Sequence, residues 1–384
     1  MSTGLLPPHY RMVLFLTSGM SLAEWAQSGI LERELMLYRT IANRNVAVDL
    51  ITWGNRSETD YLGHSPGIQV HNNHLGLPVQ LYERLIPWLH ADVLKKADLI
   101  KTNQTNGASL ALAAARRWGK PLIARCGYMW SEFMSREYGP ESGPTRYTLA
   151  VEQQVFSAAA RIVVTTSAMA ADVARRIPTA IDRIEVVPNY VDTKHFSPHP
   201  GKLKEFDLVF VGRLATQKNL KALLDAIQPH DWTLLIIGDG ELRETFARNY
   251  GTLNNRICWR GNVSSTELPW ELQRGRVFVL PSHYEGHPKA LIEAMACGMP
   301  VIGTDVPGIR ELVIEKKNGL ICAPNASSLA VAVEQLLGDP NFQYHLGQAA
   351  RHYILERFAL EHIVTRELAV HQAALADQSR PAVE

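Results

Sequence analysis

Cysteine is scarce in this chain of 384 residues: Cys126, Cys258, Cys297 and Cys322 are the whole complement, and none stand in a C-x-x-C spacing. Zinc ribbons, thioredoxin-type redox motifs and disulfide scaffolds fit that inventory poorly, so a reducing, cytoplasmic setting is expected. A surplus of charge is lacking too. Lys and Arg total 39 against 38 Asp and Glu, a formal net charge of +1. A whole-molecule electrostatic grip on nucleic acid is therefore not expected. No run approaches the roughly 18 apolar residues of a membrane span. The apolar stretch 12–16 is short, and no charged n-region, long h-region and small-residue cleavage site occur together, so no secretory leader is expected. No internal repeat or low-complexity tract stands out either. What is present is a globular ratio, 46% hydrophobic to 20% charged, far from the signature of disorder. The length suggests roughly two or three domains.

Short apolar runs alternate with longer amphipathic stretches. In the first half, strands are expected at 12–17, 46–52, 99–102, 122–125 and 161–165. Helices are expected at 29–43, 78–96, 108–118, 145–159 and 168–176, the last capped by Ser167. Continuous Val/Ile/Leu runs separated by helices suit a parallel sheet covered on both faces. Residues 188–204 break the rhythm with three prolines, a glycine and no apolar periodicity, which marks a linker. The alternation then restarts, with strands at 208–211, 232–237, 277–280 and 301–303 and helices at 220–227, 242–250 and 289–297. Three helices are expected between 329 and 376. The fold class is thus α/β, with two Rossmann-like domains facing each other across a deep cleft, where ligands of open α/β sheets bind.

The most informative segment is Pro281-Ser-His-Tyr-Glu-Gly-His-Pro-Lys-Ala-Leu-Ile-Glu-Ala-Met-Ala-Cys-Gly-Met-Pro-Val301. A strand ends at Leu280, a loop carries Glu285 and Gly286, and Pro288 suits the first position of a helix. The amides of Lys289 and Ala290 then lie in the first turn, where the helix dipole favours an anion. Glu285 precedes the helix and Glu293 lies just over one turn into it. Two carboxylates flanking an anion-binding helix start suit a ligand carrying phosphate and polyhydroxyl groups, such as a nucleotide sugar. His283 and His287 are lone loop histidines, and Met295 and Cys297 read as core.

This run resembles the E-x7-E signature of retaining GT-B glycosyltransferases, specifically glycosyltransferase family 4. Further matching blocks are Phe210-Val-Gly-Arg-Leu-Ala-Thr-Gln-Lys-Asn-Leu220, Gly238-Asp-Gly240, Arg260-Gly-Asn-Val263, Gly298-Met-Pro-Val301, Gly308-Ile-Arg-Glu-Leu312 and Asn318-Gly-Leu320. Val187-Pro-Asn-Tyr-Val-Asp192 matches as well. The resemblance implies a first domain at 1–190 on the acceptor side and a second at 191–359 on the donor side, with a C-terminal helix at about 360–384 packing back on the first. It implies that Arg213 and Lys218 stabilise the departing nucleoside diphosphate without an obligatory metal or other cofactor. It gives Glu285 the hydroxyls of the donor sugar and Glu293 those of the ribose. The backbone of Gly286, His287, Pro288, Lys289 and Ala290 would surround sugar and phosphates, with Gly212 nearby. Asn262 and Val263 would flank the base, and Gly29 would offer its amide to the diphosphate from the first domain.

Many members carry a histidine after the fourth strand, but here Arg125 is followed by Cys126-Gly-Tyr-Met-Trp130. Asn103, Gln104, Arg125 and Tyr128 are the polar or cationic residues at strand ends that would meet sugar or acceptor. Nothing near Cys126 would lower its pKa, so it is not expected to act as a nucleophile. The resemblance implies transfer of a glycosyl group, with retention, from a nucleoside diphosphate sugar to a glycan or lipid-linked glycan. A UDP-sugar is favoured and a GDP-sugar is second, and the setting would be bacterial-type surface polysaccharide or glycolipid synthesis. The alternatives are a sugar-nucleotide 2-epimerase of similar build and a non-catalytic nucleotide-sugar-binding subunit. Peripheral contact with the inner face of the cell membrane stays open, since Lys95-Lys96, Arg116-Arg117 and Lys120 cluster in the first domain.

Overall fold

The computed structural model describes residues 10–199, 201–253 and 255–378. Residues 1–9 of the expected first domain and 379–384 of the expected last helix lie outside these. Two compact units emerge. One holds the chain up to Pro188 together with the segment from Val364 onward, and the other is Asn189–Ile363.

The first unit is built on β1 (Tyr10–Phe15), β2 (Val46–Ile51), β3 (Ile68–His71), β4 (Leu99–Thr102), β5 (Leu122–Cys126), β6 (Arg161–Val164) and β7 (Ile184–Val186), in the order 3-2-1-4-5-6-7. Every pairing is parallel. The second sheet comprises β8 (Phe206–Val211), β9 (Leu234–Ile237), β10 (Ile257–Gly261), β11 (Gly275–Leu280), β12 (Val301–Thr304) and β13 (Leu320–Cys322), in the order 10-9-8-11-12-13, again all parallel. Parallel strands need crossovers that cover both sheet faces. Accordingly Val13, Leu14, Ile100 and Ile123 in one core, and Leu208, Phe210, Phe278 and Ile302 in the other, are sealed from solvent. Both sheets are wound alike. Each reverses direction beside its first strand, between β1 and β4 and between β8 and β11, and the carboxyl ends of those strands are where open α/β sheets bind ligands.

The strands absent from the sequence reading are β3, β7, β10 and β13, which are the four sheet edges. Each is short and partly exposed, so none carries the continuous apolar run of a central strand. The expected helix at 78–96 is two helices, Val79–Leu89 and Ala91–Lys96, meeting at His90. Pro87 supplies no amide to the last turn of the first. Tyr82 reaches across the junction, its hydroxyl 2.9 Å from the Thr52 carbonyl and 2.9 Å from His90 Nε2. Burial pushes His90 down to about 4. The helix Ser167–Arg176 is capped by Thr166 rather than Ser167, the Thr166 hydroxyl accepting from the Met169 amide.

The proline-rich stretch after Pro188 is no loose tether. Tyr190, Val191 and Phe196 are buried. Val191 exchanges backbone hydrogen bonds with Phe358 and Leu360, and Arg351 donates to the Phe196 carbonyl at 3.0 Å. The segment is part of the body of the second unit.

In the first unit, Glu367 of the last helix (Leu360–Gln378) pairs with Lys101 in the middle of β4, and both side chains are sealed. Burial alone would raise the Glu367 carboxyl, but the charge and hydrogen bond of Lys101, with the charge of Arg125, outweigh it and hold it low. His371 is pushed by burial to about 3, so it is neutral and its Nδ1 accepts the Tyr10 hydroxyl at 2.7 Å. Removing one partner of such a pair strands the other charge. Glu367→Ala should therefore lower stability by about 3–5 kcal/mol in denaturant unfolding, while Lys101→Met with Glu367→Leu should recover most of it. Because the carboxyl is depressed in the fold, its contribution is held above the usual carboxylate range and lost as pH falls through the folded value.

Candidate active site

At the switch point of the second sheet, two loops are laced together. Gln217 donates from Nε2 to the Tyr284 carbonyl at 3.0 Å, and the His283 amide donates to the Gln217 carbonyl at 2.9 Å. Asn219, in the left-handed region at φ 49°, donates from Nδ2 to the carbonyls of Pro281 at 3.0 Å and Pro324 at 3.2 Å. Between these ties, Lys218 Nζ donates to Glu285 Oε1 at 2.5 Å, and Ser282 Oγ donates to the same oxygen at 2.6 Å. The Glu285 side chain is only 6% exposed. Both donors fall on Oε1, so Oε2 has no hydrogen bond among the described residues. The Lys218 stem passes beside Gly212, where an added Cβ would lie 3.4 Å from Cδ and Cε. Arg213 is exposed and has no ion-pair partner among the described residues.

Backbone packing sets this geometry. Gly238 has φ +125°, and a Cβ there would lie 2.1 Å from the Gly212 carbonyl oxygen, so the turn after β9 presses directly on the turn after β8. Gly308, in the short helix Pro307–Arg310, does the same to the acidic loop. A Cβ would fall 2.2 Å from the Gly286 carbonyl oxygen and 2.5 Å from that of Glu285.

The helix Lys289–Ala296 begins at Lys289, as the expected 289–297 has it, with Pro288 as its N-cap instead of its first residue. No side chain caps it, so the first-turn amides of residues such as Ala290 and the positive end of the dipole remain a site for an anion. Lys289 Nζ sits 5.1 Å from the Tyr190 ring centroid. His287 is buried and structural in its contacts: Nδ1 accepts from the Asn189 amide at 3.3 Å, and its carbonyl accepts from Asn189 Nδ2 at 2.6 Å. Glu293 lies one turn on and is 1% exposed. Burial and the nearby Glu293 push the Cys297 thiol up to about 12. After β10, Asn262 is exposed and Val263 is half-buried, while Arg260 is held by Glu271 at 3.0 Å. Among the described residues, no three His, Cys, Asp or Glu are grouped to hold a metal ion.

Residues 191–353 match the family model described as glycosyl transferases group 1, and residues 35–195 match that of glycosyltransferase family 4. The chain belongs to glycosyltransferase family 4. A D-inositol 3-phosphate glycosyltransferase of Pseudarthrobacter chlorophenolicus is 26% identical over 351 residues, 82% of this chain and 83% of the relative. A glycogen synthase of Mycobacterium tuberculosis is 26% identical over 298 residues, 74% of this chain and 71% of the relative. Two solved structures share the GT-B fold. Sucrose-phosphate synthase from Thermosynechococcus elongatus has a TM-score of 0.80 at 20% identity, with 96% of this chain and 100% of that chain covered. Anabaena HepE with UDP and glucose has a TM-score of 0.75 at 19% identity, with 94% and 99% covered.

In the first unit of this glycosyltransferase, one expectation fails. Gly29 does not open a long helix. It closes a short one, Leu22–Gln27, and the next helix is Leu31–Ala42. Its amide donates to the Ala26 carbonyl at 3.0 Å while the Ile30 amide donates to the Trp25 carbonyl at 2.9 Å, the pairing of a Schellman turn. That amide is already used and is not available to a diphosphate. The structure does bring Asn103, Gln104 and Arg125 together at the ends of β4 and β5. Arg125 Nη1 donates to the Asn103 carbonyl at 3.1 Å, and Gln104 Oε1 accepts from the Gly127 amide at 2.8 Å. Tyr128 is adjacent, its ring 4.8 Å from that of Phe133. Burial drives the Cys126 thiol far above its usual range, which leaves it inert as a nucleophile.

Sequence reasoning passed over Asn189, Gln217, Asn219, Ser282 and Gly308. They lie inside the quoted motif blocks, but their work is done by contacts between loops far apart in the chain. Gly308→Ala should push the loop bearing Glu285 and Gly286 outward. Hydrogen-exchange protection across 281–287 should fall while that of the central strands β8 and β11 is kept; unchanged protection would mean that the loop is not set by this contact.

Proposed function

We propose that the protein transfers a sugar, with retention, from a nucleoside diphosphate sugar to a hydroxyl of a glycan or lipid-linked glycan. The observation that carries this reading is the arrangement of Lys218, Glu285 and the uncapped start of the helix Lys289–Ala296 at one switch point, with exposed Arg213 beside them. The anion site and the two cations suit a diphosphate. Oε2 of Glu285 suits a sugar hydroxyl, and Glu293 is the second carboxylate, for the ribose. Uridine is favoured, because HepE, which shares the fold, has been solved with UDP-glucose. The four unpaired thiols accord with a cytoplasmic setting.

The bond from the anomeric carbon to the diphosphate oxygen breaks as the acceptor oxygen bonds to that carbon from the same face. The acceptor proton passes to the departing phosphate. Arg213, Lys218 and the helix start stabilise the charge that grows on that phosphate, a contribution worth more in the transition state than in the ground state. No carboxylate nucleophile is invoked, and the reaction is expected to proceed without an obligatory metal.

The test is nucleotide release and sugar isomerisation across a panel of UDP-, GDP-, ADP- and dTDP-sugars, with and without EDTA. Release of one diphosphate, unchanged by EDTA, is expected. Lys218→Ala and Arg213→Ala should each lower kcat by about 10²–10³, and Glu285→Gln should fall with them. An isomerised sugar with its nucleotide intact would replace the transferase by an epimerase. Full activity of Lys218→Ala would remove the leaving-group assignment.

A further inference from the structure

The first unit carries a surface that the glycosyl-transfer reading does not use. On the helix Val79–Leu89, Leu81, Arg84 and Trp88 point outward at helical spacing. Trp88 is 59% exposed, and Leu75 and Val79 are further exposed apolar residues just before and at the start of the helix. Two neighbouring helices, Ala91–Lys96 and Ala108–Trp118, add Lys95, Lys96, Arg116 and Arg117, all exposed, with Lys120 just beyond. Cation–π contacts show that these belong to one surface. The Arg117 guanidinium lies 5.3 Å from the Trp88 ring and 5.2 Å from the Trp118 ring, and Lys95 Nζ lies 5.0 Å from Trp118.

The charges here are not balanced as they are elsewhere. Arg11, Arg39, Arg136, Arg161, Arg175 and Arg176 in the same unit each pair with a carboxylate. Arg84, Lys95, Lys96, Arg116, Arg117 and Lys120 have no carboxylate partner among the described residues. The acids near them do not cancel the field. Glu83 turns inward to Ser18 and Trp53, and the two exposed acids, Asp92 and Asp98, of which Asp98 accepts from the Arg11 amide, are outnumbered by six cations. An apolar strip with an exposed tryptophan, rimmed by unneutralised cations, has the makeup of a surface that lies in a lipid interface. Tryptophan settles at headgroup depth, and each cation near an anionic leaflet contributes about fivefold in affinity.

We infer that this face, from Leu75 to Lys120, docks the protein on an anionic lipid bilayer. No helix among the described residues is long and apolar enough to cross a membrane, so the contact is peripheral. A nucleic acid would use the cations but leaves Leu75, Val79 and Leu81 without a role.

The experiment is flotation of the full chain with vesicles of phosphatidylcholine alone and of phosphatidylcholine with phosphatidylglycerol. Binding to the second and not the first is expected. Arg116→Glu with Arg117→Glu should weaken it at least about twentyfold, and Trp88→Ser several-fold. Brominated lipid should quench wild-type tryptophan fluorescence more than that of Trp88→Ser. No flotation on anionic vesicles, equal flotation on neutral ones, or flotation that all these substitutions leave intact would overturn the inference. So would capture of a single-stranded oligonucleotide as tightly as vesicles with the same loss in the Arg116/Arg117 variant. Retained binding of nucleoside diphosphate by the variants shows that they are folded. Flotation needs no turnover, so it can succeed where the donor panel fails, and the reverse.

Discussion

Everything in the second unit depends on how closely the backbone can approach itself at the carboxyl edge of the sheet. The turn after β9 rests on the turn after β8 at Gly238, and the short helix at 307–310 rests on the acidic loop at Gly308. A methyl group at either place would collide with a carbonyl oxygen. These contacts leave the loops little room to relax, and they hold Lys218 and Glu285 in one arrangement. Such preorganisation is what electrostatic stabilisation of a leaving group requires, because the dipoles need not be reoriented as charge develops.

Parallel winding explains why the site lies where it does. Neighbouring parallel strands cannot be joined by a tight turn, so each crossover spends a helix, and the crossovers change side next to the first strand. The loops after β8 and β11 therefore leave adjacent strand ends side by side, where Gln217, Lys218 and Asn219 of one reach Tyr284, Glu285 and Pro281 of the other. The first sheet has the same winding, and its equivalent strand ends carry Asn103, Gln104 and Arg125. There the polar groups satisfy one another and the Gly127 amide, so that edge is the more self-contained of the two.

What was legible in the sequence follows the same physics. Central strands such as β1, β8 and β11 are buried on both faces and announce themselves as apolar runs, and the long helices announce themselves by period. Edge strands do neither: β7 is Ile-Glu-Val and β3 ends in Gln-Val-His, each half open to solvent. Helix ends were read one residue off at Pro288 and Thr166, since proline is acceptable both at the cap and just inside it, and adjacent threonine and serine cap equally well. Gly29 misled for a better reason. A glycine between two helical stretches serves equally well to close the first or to open the second, and only the hydrogen bonds to Trp25 and Ala26 distinguish them. The E-x7-E block was legible because its chemistry is local. The residues that hold it, Asn189, Asn219 and Gly308, come from elsewhere in the chain and show no period.

A salt bridge such as Lys218–Glu285 can look like a structural staple. With the Lys218 side chain 18% exposed and that of Glu285 6%, the pair is partly desolvated, so neither charge is tolerated alone at low cost. A staple would saturate the carboxylate. Here, among the described residues, Ser282 and Lys218 share one oxygen and leave the other open, while Arg213 has no carboxylate partner. With Glu293 a turn further along the helix, two carboxylates stand with two cations and a helix N-terminus. An incoming diphosphate can engage Arg213, the helix start and Lys218 without Glu285 having to let go, because an ammonium carries three donors. The pair is better understood as half of a site than as a closed interaction.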